Sequence, residues 1–262
     1  KILASSAIKN NIGAKSLYSL VIPQTVTTLG DNTNLYSLFN GCYYVCEVYN
    51  LSSVELTNVN KFAYHTSNES SSLIYYNNLL FVKYNDDTYE LIKYLYYSDD
   101  VYLPGKINGS NYKMGVNAFT DYTIFGHFKN LYFEGTLEDW CNFEFTTNSN
   151  PMMRATHFFM YNNGVAYEVT SVTIPESITI IGPSQFASFE YLTSITLHSK
   201  VTTIYSGSFN NSRIEEVYIP ASVTKITRGA FSSTTRIYCE AESKPEGWAN
   251  GWCGSNENLV VW

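Results

Sequence analysis

Cysteine and histidine supply the strongest candidates for covalent chemistry in this chain: Cys141 as nucleophile, with His127 or His157 as its base. Such a pair can lie far apart in sequence and meet only in the fold. Trp140-Cys141, however, sits in a segment better explained as a spacer between repeated units, so the thiol reads as a buried small hydrophobe. The adjacent carboxylates Asp99-Asp100 and Glu215-Glu216 are the types a glycosidase uses. As neighbours on a strand they point to opposite faces, so they read as solvated surface. The sequence contains no GxxxxGK[ST], no GxGxxG after a strand, no HExxH, no GxSxG and no EF-hand loop. His65, His127, His157 and His198 are too scattered to hold a metal by spacing, and five cysteines without a CxxC pair signal neither a zinc site nor a disulfide framework. No enzyme, cofactor or metal is expected.

The elements around these residues are set by composition and by a repeat. With 45% hydrophobic and 15% charged residues in 262, the chain has ample apolar surface for a core. A net charge of −7 argues against nucleic acid and against anionic membranes as partners. No apolar run reaches the roughly 18 residues that span a bilayer. The opening KILASSAIKNN lacks the apolar core of a signal peptide and falls inside a repeat, so the chain reads as a fragment whose export signal and anchor lie elsewhere.

The repeat is clearest in 169–237. Six apolar columns recur at offsets of 23 and then 22 residues, including Val172/Ile195/Val217, Ile174/Leu197/Ile219, Ile181/Ile204/Ile226 and Phe186/Phe209/Phe231. The same frame returns as LYSLVIPQTVTTLG (17–30), closing through Leu38-Phe39 and Gly41-Cys42. A degenerate copy runs through Val101, Leu103, Pro104, Met114, Ala118 and Phe119, and a partial copy (Ile2 to Ile8) begins the chain. In V-x-I-P the alternation makes a short half-buried strand that proline ends. The later columns turn the chain back, and small residues before the aromatic (Ala118, Ser208, Ala230) leave room for the ring. One such turn cannot bury its own inner face, so neighbours must stack.

At these residues the sequence resembles the BspA-like (Treponema pallidum type) leucine-rich-repeat family, whose unit reads roughly LxxVxIPxxVTxIGxxAFxxC. EVYNLSS (47–53), EGTLEDWCNFEF (134–145) and IYCEAESKP (237–245) are similar to the spacer and terminal motifs of such repeats in Firmicute surface proteins. The resemblance implies a mainly β leucine-rich-repeat solenoid with a parallel strand ladder, on a secreted or cell-surface protein with roles in adhesion, and it carries no catalytic residues. His198, where the repeat prefers proline, and the loop Asn210-Asn211-Ser212 should be locally irregular.

The chain is therefore read as one solenoid: N-terminal repeats 1–53, a hairpin insertion 54–97, a degenerate repeat 98–133, a spacer with a hairpin 134–168, regular repeats 169–239 and a Trp-rich cap 240–262. LLFVKY-NDD-TYELIKY and HFFMY-NNG-VAYEV are the hairpins, the second turning on Asn163-Gly164. Thr136 should cap one helical turn, with Asp139 three residues on. Alternation sends Val21, Tyr49, Tyr102, Thr173, Thr196 and Tyr218 outward, flanked by Ser19, Glu47, Asp100, Ser171, Ser194 and Glu216. A concave face of tyrosines, hydroxyls and carboxylates suits recognition of a protein or glycan on a host or neighbouring cell. Tyr49, Tyr102, Thr173, Thr196, Glu216 and Tyr218 are the candidate contacts, on a monomer. A stalk that only spaces another module from the cell wall is the competing expectation.

Overall fold

The structure, a computed structural model, describes residues 17–29, 33–35, 45–96, 98–116, 118–119, 127–146, 149–232, 234–255 and 257–262. The partial copy Ile2 to Ile8 and the closing residues Leu38, Phe39, Gly41 and Cys42 lie outside them. The chain forms two compact units, Lys1–Tyr76 with Leu80–Ile92, and Asn77–Leu79 with Lys93–Trp262.

In the first unit, β1 (Ser19–Ile22), β2 (Glu47–Asn50) and β3 (Ala63–His65) pair in parallel, with Val21 beside Tyr49 and Tyr49 beside His65. Ile22, Val26, Leu29, Leu35, Val45, Val48 and Phe62 make its core. The 54–97 stretch thus contributes more than a hairpin, since β3 joins the parallel sheet. It also holds β4 (Leu73–Tyr76), β5 (Leu79–Lys83) and β6 (Tyr89–Tyr94). Asn77, at φ 49, turns β4 into β5, and Asp87, at φ 63, turns β5 toward β6, where Tyr84 N–H donates to the Thr88 carbonyl. Leu79, Leu80, Phe81 and Val82 are all fully buried, so β5 is covered on both faces and lacks the alternation of a half-buried strand.

In the second unit, β7 (Asp100–Pro104) precedes β8 (Lys113–Met114) and β9 (Phe128–Glu134). A helical turn α1 (Leu137–Cys141) follows, then β10 (Ala155–Asn162) and β11 (Val165–Glu168). The sheet order is β11-β10-β9-β7, with β9 parallel to both β7 and β10. Only β10 and β11 are antiparallel, joined by Asn163 and Gly164 at φ 50 and 78, as their types require.

The regular repeats supply β12 (Ser171–Thr173), β13 (Ile180–Ile181), β14 (Ser194–Thr196), β15 (Thr203–Ile204), β16 (Glu216–Ile219), β17 (Lys225–Ile226) and β18 (Arg236–Cys239). The chain ends on β19 (Val260–Val261). Strands β12-β14-β16-β18-β19 form one sheet and β13-β15-β17 another, and neighbouring strands in both are parallel. All six apolar columns are buried, and the phenylalanine column stacks ring on ring, Phe186 to Phe209 at 6.0 Å and Phe209 to Phe231 at 5.2 Å. His198 does not disturb the register: its Nε2 lies 2.9 Å from the Pro175 carbonyl of the preceding repeat, and its Nδ1 accepts from Lys200 N–H.

The pattern does not stop at Glu240. Trp248 bridges Ile226, Ala230 N–H donates to the Trp252 carbonyl and Gly229 N–H to that of Gly251, all at the same 22-residue offset. Trp248 and Trp252 are buried in this further layer, whereas Trp262 is partly exposed against both. Gly207, Gly229 and Gly251 all sit at φ 67, with Ser184 preceding them at φ 53. A Cβ on Gly207 would meet Ser184 Oγ at 3.2 Å in a backbone region unfavourable to L-residues. Gly207→Ala should therefore cost about 1–2 kcal/mol, read as a lowered Tm in a thermal melt.

Candidate functional site

Two places gather polar groups. The first is the buried end of β2 and β3. Glu47 is 1% exposed, yet its carboxylate is saturated: Oε1 accepts from Tyr49 Oη (3.1 Å) and Ser72 N–H (2.5 Å), and Oε2 from Ser71 Oγ (3.0 Å). His65, 5% exposed, lies with Nε2 3.3 Å from Glu47 Oε1 and Nδ1 3.1 Å from Glu69 Oε2. The Ser67 hydroxyl and His65 hold the Glu69 carboxyl below the usual range.

Ser72 Oγ is 3.3 Å from His65 Nε2, so Ser72, His65 and Glu69 imitate a hydrolase triad. The chemistry fails on the second carboxylate. Glu47 Oε1 lies as close to His65 Nε2 as Ser72 Oγ does, both at 3.3 Å, so the nitrogen that would serve the serine already faces a buried carboxylate. The cluster clamps the 65–72 segment over β2. This overturns two outward assignments: Tyr49 is only 9% exposed and stacks on His65 at 4.5 Å, and Glu47 is deeply buried. Both are buried because the segment that follows β3 covers positions that a bare ladder would leave open.

Cys141 is not a poised nucleophile. Burial, reinforced by Glu138, pushes its thiol up to about 12, so thiolate is negligible at neutral pH. His157 is engaged elsewhere, with Nδ1 2.6 Å from Glu168 Oε1 and its ring stacked on Tyr191 at 4.5 Å, while His127 is exposed at the start of β9. Cys141 ends α1, whose capping box is complete: Thr136 Oγ1 accepts from Asp139 N–H, and the Asp139 carboxylate accepts from Thr136 N–H. Burial raises the Asp139 pKa, but bonds from the Thr136 side chain and backbone and the charge of Lys106 outweigh it and leave it lowered. A lowered folded-state pKa means that this stabilisation is present above the ordinary aspartate range and is lost as pH falls through the folded value. Asp139→Ala should cost about 1 kcal/mol at pH 7, with the gap from wild type narrowing in urea titrations on the acid side.

The second place is the outward face of β7, β9 and β10. Register sets Tyr102 beside Tyr132 and Tyr132 beside Phe159. The three rings stack as a row, with centroids 4.9 Å apart at each step and planes within 13° and 16°. Tyr102 is 37% exposed, and Tyr161 flanks the row 6.4 Å from Tyr132. On one side Asn130 Nδ2 donates to Asp100 Oδ1 at 2.7 Å; Glu134 pairs with Pro104 at the end of β7, and Glu168 lies opposite Phe159. Burial, then Asp100, raises the Tyr132 pKa; burial, then Glu134, raises that of Tyr161.

Of the expected contacts, Tyr102 belongs to this row. Thr173 and Thr196 are exposed neighbours on β12 and β14, Ser194 pairs with Glu216, and Tyr218, 63% exposed, stacks on Tyr238 at 4.7 Å. The outward column is thus not continuous: Tyr132, Phe159 and Tyr161 join it from strands that the repeat columns do not include. Alternation in FKNLYFE (128–134) could have exposed Tyr132, but spacings of 30 residues from Tyr102 and 27 to Phe159 break the period.

Among the described residues, no group of three or more His, Cys, Asp or Glu could hold a metal, and no helix is long and apolar enough to cross a membrane. A leucine rich cell surface protein from Faecalibacterium prausnitzii is similar in structure, at 20% identity and a TM-score of 0.37, over 68% of this chain and 57% of that one. The chain spans little more than half the length of that protein. No curated protein matches the sequence. The family model of the BspA type leucine rich repeat region matches residues 157–239 in six copies, beginning within the hairpin arm that the sequence assigns to a spacer. The six buried columns and the parallel registers of the regular repeats fall within this match, so over residues 157–239 the chain is similar to a BspA-type leucine-rich-repeat region.

Proposed function

We propose that this chain is a non-catalytic recognition module displayed outside the cell, in which the repeats stack as solenoid layers and outward strand positions contact a protein or glycan. The observation that carries the reading is the partly exposed row Tyr102–Tyr132–Phe159, with hydroxyls and carboxylates at its margins. Burying the tips of stacked aromatics would improve little inside the sheet, while tyrosines are over-represented where partners bind. The leucine-rich-repeat match and the absence of a usable nucleophile at Cys141 support a surface module over a hydrolase.

The test is an array of glycans and extracellular matrix proteins probed with the chain and with Tyr102→Ala and Tyr218→Ala variants. Binding that Tyr102→Ala weakens is the expected result. Failure of every ligand, or binding that neither substitution alters, returns the stalk reading.

A further inference from the structure

The outward face of β7, β9 and β10 has a chemical character that narrows its partner. Its carboxylates are Asp100, Glu134 and Glu168, while from Asn130 onward the outward positions of these strands carry no lysine or arginine, and their one basic group, His157, is held by Glu168. Phenol oxygens of Tyr102, Tyr132 and Tyr161 lie among them. Burial first, and then the negative charge of Asp100 beside Tyr132 and of Glu134 beside Tyr161, raises the pKa of these two tyrosines.

Ring geometry separates two classes of ligand. A pyranose needs an open ring face to lie on, but the central ring, Tyr132, has both faces filled by its neighbours at 4.9 Å. What the row presents outward is ring tips, hydroxyls and carboxylates, acceptors suited to ammonium and guanidinium donors. β7 is the terminal strand of its sheet and Tyr102 is 37% exposed, so a cation can approach the Tyr102 ring. The net charge of −7 would steer such a partner in.

We propose that this face docks a lysine- or arginine-rich segment of a partner protein, its cations seated between Asp100, Glu134 and the Tyr102–Tyr132 rings. The proposal rests on the recognition reading and names the chemistry of its ligand.

The experiment titrates the full chain with a labelled Lys/Arg peptide of about a dozen residues, a length-matched Glu peptide and neutral oligosaccharides, at low and raised salt. It compares D100N/E134Q with E242Q/E246Q, a double change of equal charge at exposed positions of the 240–247 turn. The cationic peptide should bind, weaken with salt, and lose about tenfold in affinity on D100N/E134Q while keeping it on E242Q/E246Q, with unchanged melting of both variants. Equal loss on both doubles means non-specific attraction and overturns the proposal. A neutral oligosaccharide that binds in place of the peptide and is lost on Tyr102→Ala overturns the cationic ligand but leaves the recognition reading standing. No binding of any probe, together with an array blank, overturns both.

Discussion

Glu47→Ala is expected to destabilise the first unit by about 3–5 kcal/mol, because several buried groups lose one acceptor at about 1–3 kcal/mol each. The substitution strands His65, 5% exposed, and leaves the Tyr49 and Ser71 hydroxyls and the Ser72 N–H without their acceptor. Each buried group left unpaired bears its own desolvation cost. Glu69→Ala, whose carboxylate reaches the same ring from solvent, should change stability little. Urea unfolding of the two variants against wild type checks the contrast. Similar small effects would mean that the clamp over β2 contributes nothing.

Trp140→Ala should cost a comparable amount, about 3–5 kcal/mol. Trp140 is fully buried, with Phe133, Phe143, Phe145, Phe158 and Phe189 around it at centroid distances of 4.7–6.1 Å. It also exchanges two hydrogen bonds with one residue: its Nε1–H donates to the Gln185 carbonyl and its own carbonyl accepts from Gln185 Nε2. The indole therefore ties α1 to the first regular repeat. Trp140→Phe retains much of the ring volume and removes the donor, so it should fall between, at about 1–3 kcal/mol. Thermal melts of the pair separate packing from hydrogen bonding, and a Phe variant as unstable as the Ala variant would assign the effect to the bond alone.

Gln185 also shows where a repeat becomes legible and where it does not. Ser208 and Ala230 occupy the same column, and both are small because the following phenylalanine needs the space. Gln185 departs from that rule because a specific partner, Trp140, waits 45 residues back in the chain, which no period encodes. The phenylalanine column was readable because its spacing is fixed by one layer of backbone. The glycine column Gly207/Gly229/Gly251 carried the same 22-residue spacing through the C-terminal segment. That spacing extends the repeat there, although Trp248 and Trp252 stand where the preceding repeat has Ile226 and Ala230. The capping box at Thr136 was legible because both its members lie within one helical turn.

The site was less legible than the fold. Alternation says which side of a strand a residue leaves from, and it placed Thr173, Thr196, Glu216 and Tyr218 on the outside. It does not say what later chain will cover that side, and for Glu47 and Tyr49 the 65–72 segment does so. Nor does it order strands across insertions. Tyr102 therefore could not be set beside Tyr132 until the register of β7 on β9 was known.

The recognition reading turns most directly on Tyr132, the central ring of the row. The decisive measurement is the affinity of the strongest array ligand for Tyr132→Ala alongside wild type, with the melting temperature of both. Tyr132→Ala should lose about 2 kcal/mol, roughly 30-fold in Kd, without a matching loss of folded protein at the assay temperature. An unchanged Kd with Tyr132 replaced would contradict the recognition reading.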